Sequence, residues 1–461
     1  MADYDVVVIG GGPGGYVAAI RAGQKGLKTA LVEREQVGGV CLNWGCIPSK
    51  ALLRGAEVVS WLRRADEWGI AFDNLRLDFG KAIDRSRQAV QRLVRGVEYL
   101  LRKNKVDGVR DEAALAGPGK VALKGSGRVL SASAIIIATG ARPRSLPLLP
   151  VDGQVVLTSR EALGRRDLPS SCVIVGGGAV GCEFAYLYNA YGVRVTVVEL
   201  LPRLLPNEDE EVSQALERAF QRQGIRVLVS ARVTGVQLSP SHASLTVETP
   251  QGVQTLTAER VLVAVGVQPN WEGLGLAEVG VATEQGGWVR TDEYQRTTVP
   301  TIYAVGDVTG RMPLAHVASA QGILAVEAIL GKEARPLDYT LMPRAVYCAP
   351  QVASWGLTQR EAEEKGYAVK VGKFPFTANG KAIAMGEGEG FVKVVADARH
   401  GEILGVHMVG PEVTELLPTL AMARLLEGTL LEAGWMVYAH PTLSEALKEA
   451  ALAALGEAVH I

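Results

Sequence analysis

Two cysteines separated by four residues lie in a glycine-containing segment, residues 38–50, near the amino terminus. Cys41 and Cys46 have the side chains and the spacing of a redox pair, which moves two electrons through sulfur. In a straight helix, residues five positions apart have Cα atoms about 8–9 Å apart, whereas a disulfide tolerates at most about 7 Å. A bridge between these cysteines therefore requires a distorted helix, and a strained bridge is easier to reduce.

Three other roles are open to this pair: a structural disulfide, two buried thiols, or half of a zinc site. A zinc site needs four ligands, usually in closely spaced pairs, but the other cysteines, at 172, 182 and 348, are scattered singly. We therefore expect no metal site. A structural disulfide is disfavoured because the sequence has no secretory signature, and disulfides are rare in a reducing cytosol. The redox-active pair is the favoured interpretation.

A glycine-rich turn between an apolar strand and a helix occurs twice in the chain. Each copy contains G-x-G-x-x-G and follows an apolar run, residues 6–9 and 172–175. The first glycine permits a tight turn, the second lets backbone N–H groups approach a pyrophosphate, and the third lets the helix pack on the strand. A carboxylate that ends the next strand accepts hydrogen bonds from a ribose. The two sets are Gly10, Gly12, Gly15 and Glu33, and Gly176, Gly178, Gly181 and Glu199.

The repetition predicts two dinucleotide sites. A carboxylate at Glu199 would repel a 2′-phosphate, so the second site is expected to prefer NAD over NADP. Arg194 and Arg203 leave NADP open at this point, because an arginine accommodates that phosphate.

Other apolar runs end in residues suited to line the same crevices. Runs 135–139 and 261–265 end at Gly140 and Gly266, and the run 302–306 delivers Asp307. Ligands of open α/β sheets bind outside the carboxyl ends of the strands. We therefore expect these residues at the ligand crevices, with Asp307 binding a sugar hydroxyl of the first dinucleotide.

Composition excludes several classes of function. A chain of 461 residues is expected to form three or four domains, and its 48% hydrophobic and 21% charged residues are ordinary for a soluble protein. The formal net charge of −1 gives no reason to expect binding to nucleic acid or to an anionic membrane. No apolar run approaches the roughly 20 residues that span a bilayer. Without a cleavable leader, the chain is expected to be cytoplasmic.

Together these motifs resemble those of the pyridine nucleotide-disulfide oxidoreductases, and most closely the dihydrolipoamide-oxidising members. The resemblance covers essentially the whole chain and includes G-G-x-C-x-N-x-G-C-I-P-S-K at 38–50, A-T-G at 138–140, G-D at 306–307, L-A-H at 314–316 and H-P-T-L-S-E at 440–445. It implies an α/β fold with two Rossmann-like dinucleotide-binding domains, a central domain and a C-terminal α+β dimerisation domain. The implied boundaries are 1–147 for FAD, 148–271 for NAD, 272–337 for the central domain completing the FAD site, and 338–461 for dimerisation.

The resemblance also implies roles for individual residues. Cys41 would exchange with the substrate and Cys46 would face the flavin, while His440 would be the acid–base group, held in its tautomer by Glu445. The implied FAD-contacting residues are Gly10, Gly12, Gly15, Glu33, Lys50, Ala113, Thr139, Gly140, Asp307 and Ala315. The implied NAD-contacting residues are Gly176, Gly178, Gly181, Glu183, Glu199, Val233 and Gly266.

The activity implied by the resemblance is oxidation of protein-bound dihydrolipoamide to lipoamide through a Cys41–Cys46 disulfide and FAD, with NAD⁺ as final acceptor. Glu183 would pair with Lys50 near the flavin. The implied partners are a second copy, whose His440 completes the active site, a lipoyl domain, and the subunit-binding domain of a 2-oxoacid dehydrogenase acyltransferase. Two alternatives stay open: an FAD-dependent reductase of glutathione or another disulfide, and a flavin-bearing assembly subunit of a multienzyme complex.

Overall fold

The computed structural model describes residues 2–332 and 334–461, and its first unit is built on a mostly parallel sheet. The strands are β1 (Tyr4–Ile9), β2 (Thr29–Glu33), β3 (Asp107–Arg110), β4 (Ala113–Gly117), β5 (Lys120–Leu123) and β6 (Val129–Ile137). The helices are α1 (Pro13–Gln24), α2 (Gly39–Trp44), α3 (Cys46–Arg63) and α4 (Phe79–Lys103). The strand order is β3-β2-β1-β6-β5-β4. Val6, Val7 and Val8 are fully buried, as expected of a central parallel strand covered on both faces.

The second unit repeats the parallel arrangement and adds an antiparallel sheet. Its strands are β7 (Ala141–Pro143), β8 (Val156–Leu157), β9 (Ser171–Val175), β10 (Arg194–Val198), β11 (Arg226–Leu228), β12 (Arg232–Leu238), β13 (Ala243–Thr249), β14 (Gly252–Ala258), β15 (Arg260–Val263) and β16 (Val267–Pro269). Its helices are α5 (Ser159–Ala162), α6 (Ala179–Ala190) and α7 (Glu210–Arg222). The parallel sheet has the order β11-β10-β9-β15-β8, and β12, β13 and β14 form the antiparallel one. Strands β7 and β16 pair where the chain enters and leaves this unit.

The chain then returns to the first unit. Strand β17 (Ile302–Ala304) lies parallel to β6. Helix α8 (Ala315–Ile329) packs on α1, and the approach is so close that a Cβ at Gly322 would come within 2.5 Å of the Gly14 carbonyl oxygen. Strand β17 and helix α8 therefore complete the first unit.

An antiparallel sheet flanked by helices forms the C-terminal unit. Its strands are β18 (Arg344–Val346), β19 (Gln351–Gly356), β20 (Val369–Pro375), β21 (Phe391–Asp397) and β22 (Ile403–Gly410), in the order β18-β19-β22-β21-β20. Its helices are α9 (Gln359–Glu364), α10 (Gly380–Ala384), α11 (Val413–Leu425), α12 (Leu430–Trp435) and α13 (Glu445–Leu455). Among the described residues, no helix is long and apolar enough to cross a membrane. The predicted fold class is confirmed, while the four domain boundaries stay predictions.

Candidate active site

The first glycine turn is shaped so that a ligand can reach its backbone. Gly10 has φ +103° and a side chain there would collide with the Ala138 carbonyl, while one at Gly15 would collide with the Gly10 carbonyl. Gly12 is different: a Cβ at this position would meet nothing closer than the Gly39 Cα, 4.0 Å away. Gly12 also caps α1, whose N-terminus favours an anion. The turn therefore fits a pyrophosphate.

The second glycine turn has the same construction. Gly176 has φ +112° and is closed in by the Ala264 carbonyl, and Gly181 packs against the Gly176 carbonyl. Around a Cβ at Gly178, no atom of the described residues lies within 4 Å. Gly178 caps α6 as Gly12 caps α1. Both predicted turns thus have the local geometry of a dinucleotide site.

Glu33 and Glu199 make equivalent contacts to their turns. Glu33 accepts the backbone N–H of Gly11 at 2.6 Å, and Glu199 accepts that of Gly177 at 2.5 Å. The second oxygen of Glu199 accepts the Leu201 N–H at 2.7 Å. A carboxylate has about four lone-pair positions, so each oxygen retains acceptor capacity for a ribose hydroxyl.

The two arginines near Glu199 are not equally placed. Arg194 begins β10 and Glu199 follows its last residue, so the strand rise separates them by about 16 Å. Arg203 donates from Nη2 to the Pro206 carbonyl at 3.0 Å. Arg194 therefore lies too far from Glu199 to bind a 2′-phosphate there, and the Arg203 guanidinium is hydrogen-bonded within its own loop.

The dithiol lies where one helix ends and another begins. Helix α2 ends at Trp44 and α3 begins at Cys46, because Gly45 adopts φ −140° and ψ −112°. The predicted break in the helix is therefore present. Cys41 and Cys46, both within the described residues, are half-buried free thiols.

The two thiols differ in their readiness to ionise. The hydrogen bond from Cys41 lowers the pKa of Cys46 to about 7; burial opposes this shift and the Lys50 ammonium adds to it. The same hydrogen bond, with burial, raises the pKa of Cys41 well above its ordinary value. The interaction with Cys41 and the positive charge of Lys50 therefore favour Cys46 over Cys41 as the thiolate of the reduced pair.

Lys50 joins the dithiol helix to the second unit. Its Nζ lies 2.9 Å from both carboxylate oxygens of Glu183, the pairing implied by the resemblance. Glu183 also accepts the backbone N–H of Tyr347, from the C-terminal unit, at 3.1 Å. All three units therefore meet beside the dithiol.

Thr139 is hydrogen-bonded to the second unit. Its hydroxyl donates to the Asn270 carbonyl at 2.6 Å, and the Asn270 amide donates to the Thr139 carbonyl at 3.1 Å. These reciprocal bonds tie the first unit to the second, so the Thr139 hydroxyl already has a partner within the chain. The carbonyl of Gly140, a residue with φ +68°, accepts the Asn270 N–H. Gly266, with φ +94°, comes directly before β16, which forms the other side of this link between the units.

The remaining expected cofactor residues lie at strand and helix ends. Asp307 follows β17 in a short turn, and its burial raises its pKa to about 6. Ala315 begins α8. Ala113 begins β4, two residues after Asp111, whose N–H donates to the Glu33 carbonyl. Val233 lies in β12 and packs in the apolar cluster of the second unit.

His440 and Glu445 form a pair on the C-terminal unit. The His440 Nδ1 lies 2.9 Å from Glu445 Oε1, and the imidazole side chain is 76% exposed. Its Nε2 makes no hydrogen bond to any described residue. Within the chain, therefore, His440 is presented on the surface rather than brought to Cys41.

Arg87 is a contact of the dithiol segment that no motif indicated. Its guanidinium donates to the Asn43 carbonyl and to the Leu163 carbonyl, each at 2.6 Å, and no carboxylate among the described residues pairs with it. Asn43 in turn donates from its amide to the carbonyls of Val37 and Gly39, each at 3.0 Å. The turn containing the cysteines is thus braced from both sides.

Family models and known relatives match nearly the whole chain. The family model described as pyridine nucleotide-disulphide oxidoreductase matches residues 4–322, and that of its dimerisation domain matches 342–451. Dihydrolipoyl dehydrogenase of Bacillus subtilis is 46% identical over 99% of this chain and 99% of its own. That of Chlorobaculum tepidum is 49% identical over 98% and 97%.

Solved structures show the same architecture. LpdA from Mycobacterium tuberculosis aligns with a TM-score of 0.89 at 29% identity, covering 97% of this chain and 98% of its own. The HOCl-induced flavoprotein disulfide reductase RclA from Escherichia coli aligns with a TM-score of 0.87 at 25% identity, covering 97% and 99%.

The fold and the site define an oxidoreductase that couples a dithiol to two dinucleotides. The chain belongs to the pyridine nucleotide-disulphide oxidoreductase family, and the resemblance seen in its motifs is confirmed. The expected cofactors, FAD and NAD, are those of this family.

Proposed function

We propose that this chain has dihydrolipoyl dehydrogenase activity, oxidising protein-bound dihydrolipoamide and passing two electrons to NAD⁺. The observation that carries the proposal is the placement of Cys41 and Cys46 at the break between α2 and α3, where Gly38 donates its N–H to the Gly11 carbonyl of the first glycine turn and the Lys50–Glu183 ion pair lies one helical turn beyond Cys46. Such a pair beside two dinucleotide turns suits two-electron sulfur chemistry. Relatives 46% and 49% identical to this chain carry the name of that activity.

The residues present fit both cofactors. FAD would be held by the first glycine turn, Glu33 and Asp307, with Lys50 near its reactive ring, and Gly140, Ala113 and Ala315 would line the same site. The second glycine turn, Glu199, Val233 and Gly266 would hold NAD. When bound, FAD supplies the two-electron connection between the dithiol and the nicotinamide.

The sulfur chemistry follows from the two cysteines. With the pair oxidised, a substrate thiol gives its proton to a base, the role proposed for the partner subunit's His440, and its thiolate attacks the Cys41 sulfur. The Cys41–Cys46 bond breaks and Cys46 leaves as a thiolate, which the positive charge of Lys50 stabilises. The second substrate thiol then attacks the substrate sulfur bound to Cys41; the sulfur–sulfur bond to Cys41 breaks, the lipoamide ring closes, and the proton of the second thiol passes to the released Cys41 sulfur. Two electrons now reside on the dithiol.

An exposed apolar surface supports a homodimer. Leu426, Trp435 and Val437 are 73%, 75% and 89% exposed, within the part of the chain that matches a dimerisation domain. Large apolar side chains grouped in this way usually mark an interface. His440 follows this segment directly, so a second copy that covers the surface would approach His440.

Partners and compartment are part of the same proposal. The substrate would be carried on a lipoyl domain, and the subunit-binding domain of a 2-oxoacid dehydrogenase acyltransferase would be the docking partner. Within the described residues all five cysteines are free, which suits the reducing cytoplasm.

A comparison of substrates tests the proposal. Purified flavin-loaded protein is given dihydrolipoamide with NAD⁺, and separately NADPH with glutathione disulfide. We expect turnover of the first mixture alone. Turnover of the second alone would assign a glutathione-type reductase and would contradict the NAD preference inferred from Glu199. Turnover of neither, with FAD bound, would favour a flavin-bearing assembly subunit.

A further inference from the structure

Tyr347 contacts both members of the Lys50–Glu183 pair. Its backbone N–H donates to Glu183 Oε1 at 3.1 Å, and Lys50 Nζ lies 4.7 Å from the centre of its ring. An ammonium over an aromatic face is attracted by the negative face of the ring. The half-buried ring also covers the ion pair on one side. Lys50 is therefore held between a carboxylate and a ring.

The pair acts on Cys46 through the geometry of α3. Lys50 follows Cys46 by one helical turn, so the two side chains share a face with Cβ atoms about 5–6 Å apart. The ammonium favours the Cys46 thiolate and the Glu183 carboxylate opposes it. The strength of both effects depends on how much water surrounds the pair, because water screens the interaction of charges.

We propose that Tyr347 is a positioning residue for the dithiol, holding Lys50 and Glu183 in place and keeping water from their ion pair, so that Lys50 continues to stabilise the Cys46 thiolate. This inference rests on the proposed redox role of the Cys41–Cys46 pair. The contact also makes the C-terminal unit, which supplies Tyr347, a determinant of thiol chemistry in the first unit.

Other titratable groups face this centre from neighbouring elements. Cys41 of α2 and Tyr16 of α1 lie near the Cys46 sulfur, and Glu415 of α11 lies near Tyr347. Asp307 lies near Cys41. A substitution of Tyr347 leaves all of these groups in the chain, so a change in Cys46 ionisation reports on the Lys50–Glu183 pair.

Thiol alkylation over a range of pH tests the proposal. Reduced holoenzyme is treated with iodoacetamide, and modification of Cys46 and Cys41 is read separately by mass spectrometry. Tyr347→Phe keeps the ring and the backbone N–H, and we expect the wild-type profile. In Tyr347→Leu we expect the midpoint of the pH dependence of Cys46 alkylation to move to higher pH. At the pH of the wild-type midpoint, Cys46 alkylation should be about threefold slower than in wild type. Tyr347→Met, which keeps more bulk without an aromatic face, is measured in parallel and should show the same shift.

Tyr191 provides a matched control. Its ring is also half-buried and packs edge-on against Phe79 at 5.0 Å between centroids, at the far end of α6 from Glu183. We expect Tyr191→Leu to leave the Cys46 profile unchanged. An unchanged profile in the folded Leu or Met variant of Tyr347, an equal shift in Tyr191→Leu, or an equal shift in Tyr347→Phe would overturn the proposal. Because alkylation needs no lipoamide turnover, failure of the proposed function would be seen separately.

Discussion

His440 is oriented by Glu445 through a 2.9 Å contact between Nδ1 and Oε1, and the other carboxylate oxygen accepts the Thr442 N–H at 2.8 Å. Burial raises the pKa of Glu445, but the hydrogen bonds from Thr442 and His440 outweigh it and lower the pKa overall. The carboxylate therefore stays charged and holds the imidazole at Nδ1. Nε2 is then the nitrogen that exchanges a proton.

Replacing His440 tests that role. We expect His440→Gln to lower kcat for dihydrolipoamide oxidation by about 10²–10⁴-fold, the usual contribution of a general acid–base group, with flavin content unchanged. Glu445→Gln should lower kcat less, because the base remains but its orientation is lost. Steady-state kinetics with NAD⁺ would measure both.

A second histidine on the same surface gives the control. His460 Nδ1 lies 2.9 Å from Glu449 Oε1, on the helix that also carries Glu445. His460→Gln therefore removes a similar pair outside the proposed site and should leave kcat within about twofold of wild type. Equal losses of kcat in His440→Gln and His460→Gln would show that His440 contributes only to folding.

The parts of the site that sequence reasoning could predict are those whose chemistry is local. The glycine turns have a strand, a turn and a helix within one short segment, and Gly45 breaks the helix between the cysteines themselves. Glu33 and Glu199 were predictable because each ends the strand that follows its turn. In all of these, spacing alone determines proximity.

Contacts made across the fold left no signal in the sequence. Tyr347 reaches Glu183 only because β18 ends beside α6, and Arg87 reaches Asn43 only because α4 lies against the dithiol segment. The Thr139 hydroxyl is taken by Asn270 for the same reason, since β7 and β16 pair at the link between units. Periodicity and spacing carry no information on such tertiary partners.

Removing the charge of Glu199 tests the choice of nicotinamide dinucleotide. Glu199→Gln keeps one acceptor oxygen for the turn but loses the repulsion of a 2′-phosphate. We expect the ratio of kcat/KM for NAD⁺ to kcat/KM for NADP⁺ to fall about tenfold. The fall would come from the lost repulsion of the 2′-phosphate and not from a new contact with it. Glu33→Gln, its equivalent in the first turn, should lower flavin content and leave that ratio unchanged. An unaltered ratio in Glu199→Gln would show that discrimination lies elsewhere.

Arg87→Met should destabilise the protein through the carbonyls it leaves without a donor. The Asn43 and Leu163 carbonyls each lose a 2.6 Å hydrogen bond from a charged group, so we expect a loss of about 2–4 kcal/mol in free energy of unfolding. Urea denaturation of the reduced holoenzyme would measure it. Arg92→Met, an exposed position on the same helix, should change stability by less than about 0.5 kcal/mol. A similarly small change in Arg87→Met would contradict the bracing role.

Asp307 should oppose folding at neutral pH when no flavin is bound. Burial raises its pKa from 3.8 to about 6, so the folded state holds the proton more tightly than the unfolded state. Its contribution to stability is therefore most favourable below about pH 4, is lost as pH rises from about 4 to 6, and stays lost above. Since the carboxyl is partly exposed, we expect a penalty of about 1–2 kcal/mol at pH 7.5 rather than the full value of the shift.

Asp307→Asn separates this cost from the proposed binding role. In flavin-free protein we expect the variant to be more stable than wild type at pH 7.5 and to lose most of that advantage at pH 4, as measured by urea denaturation. The same variant should retain less FAD on purification, because an amide replaces the charged acceptor for a sugar hydroxyl. A gain in stability that does not depend on pH would contradict the titration of Asp307. Undiminished FAD content would contradict its role in binding. A carboxylate that destabilises the empty site and strengthens the loaded one links folding of the first unit to capture of its cofactor.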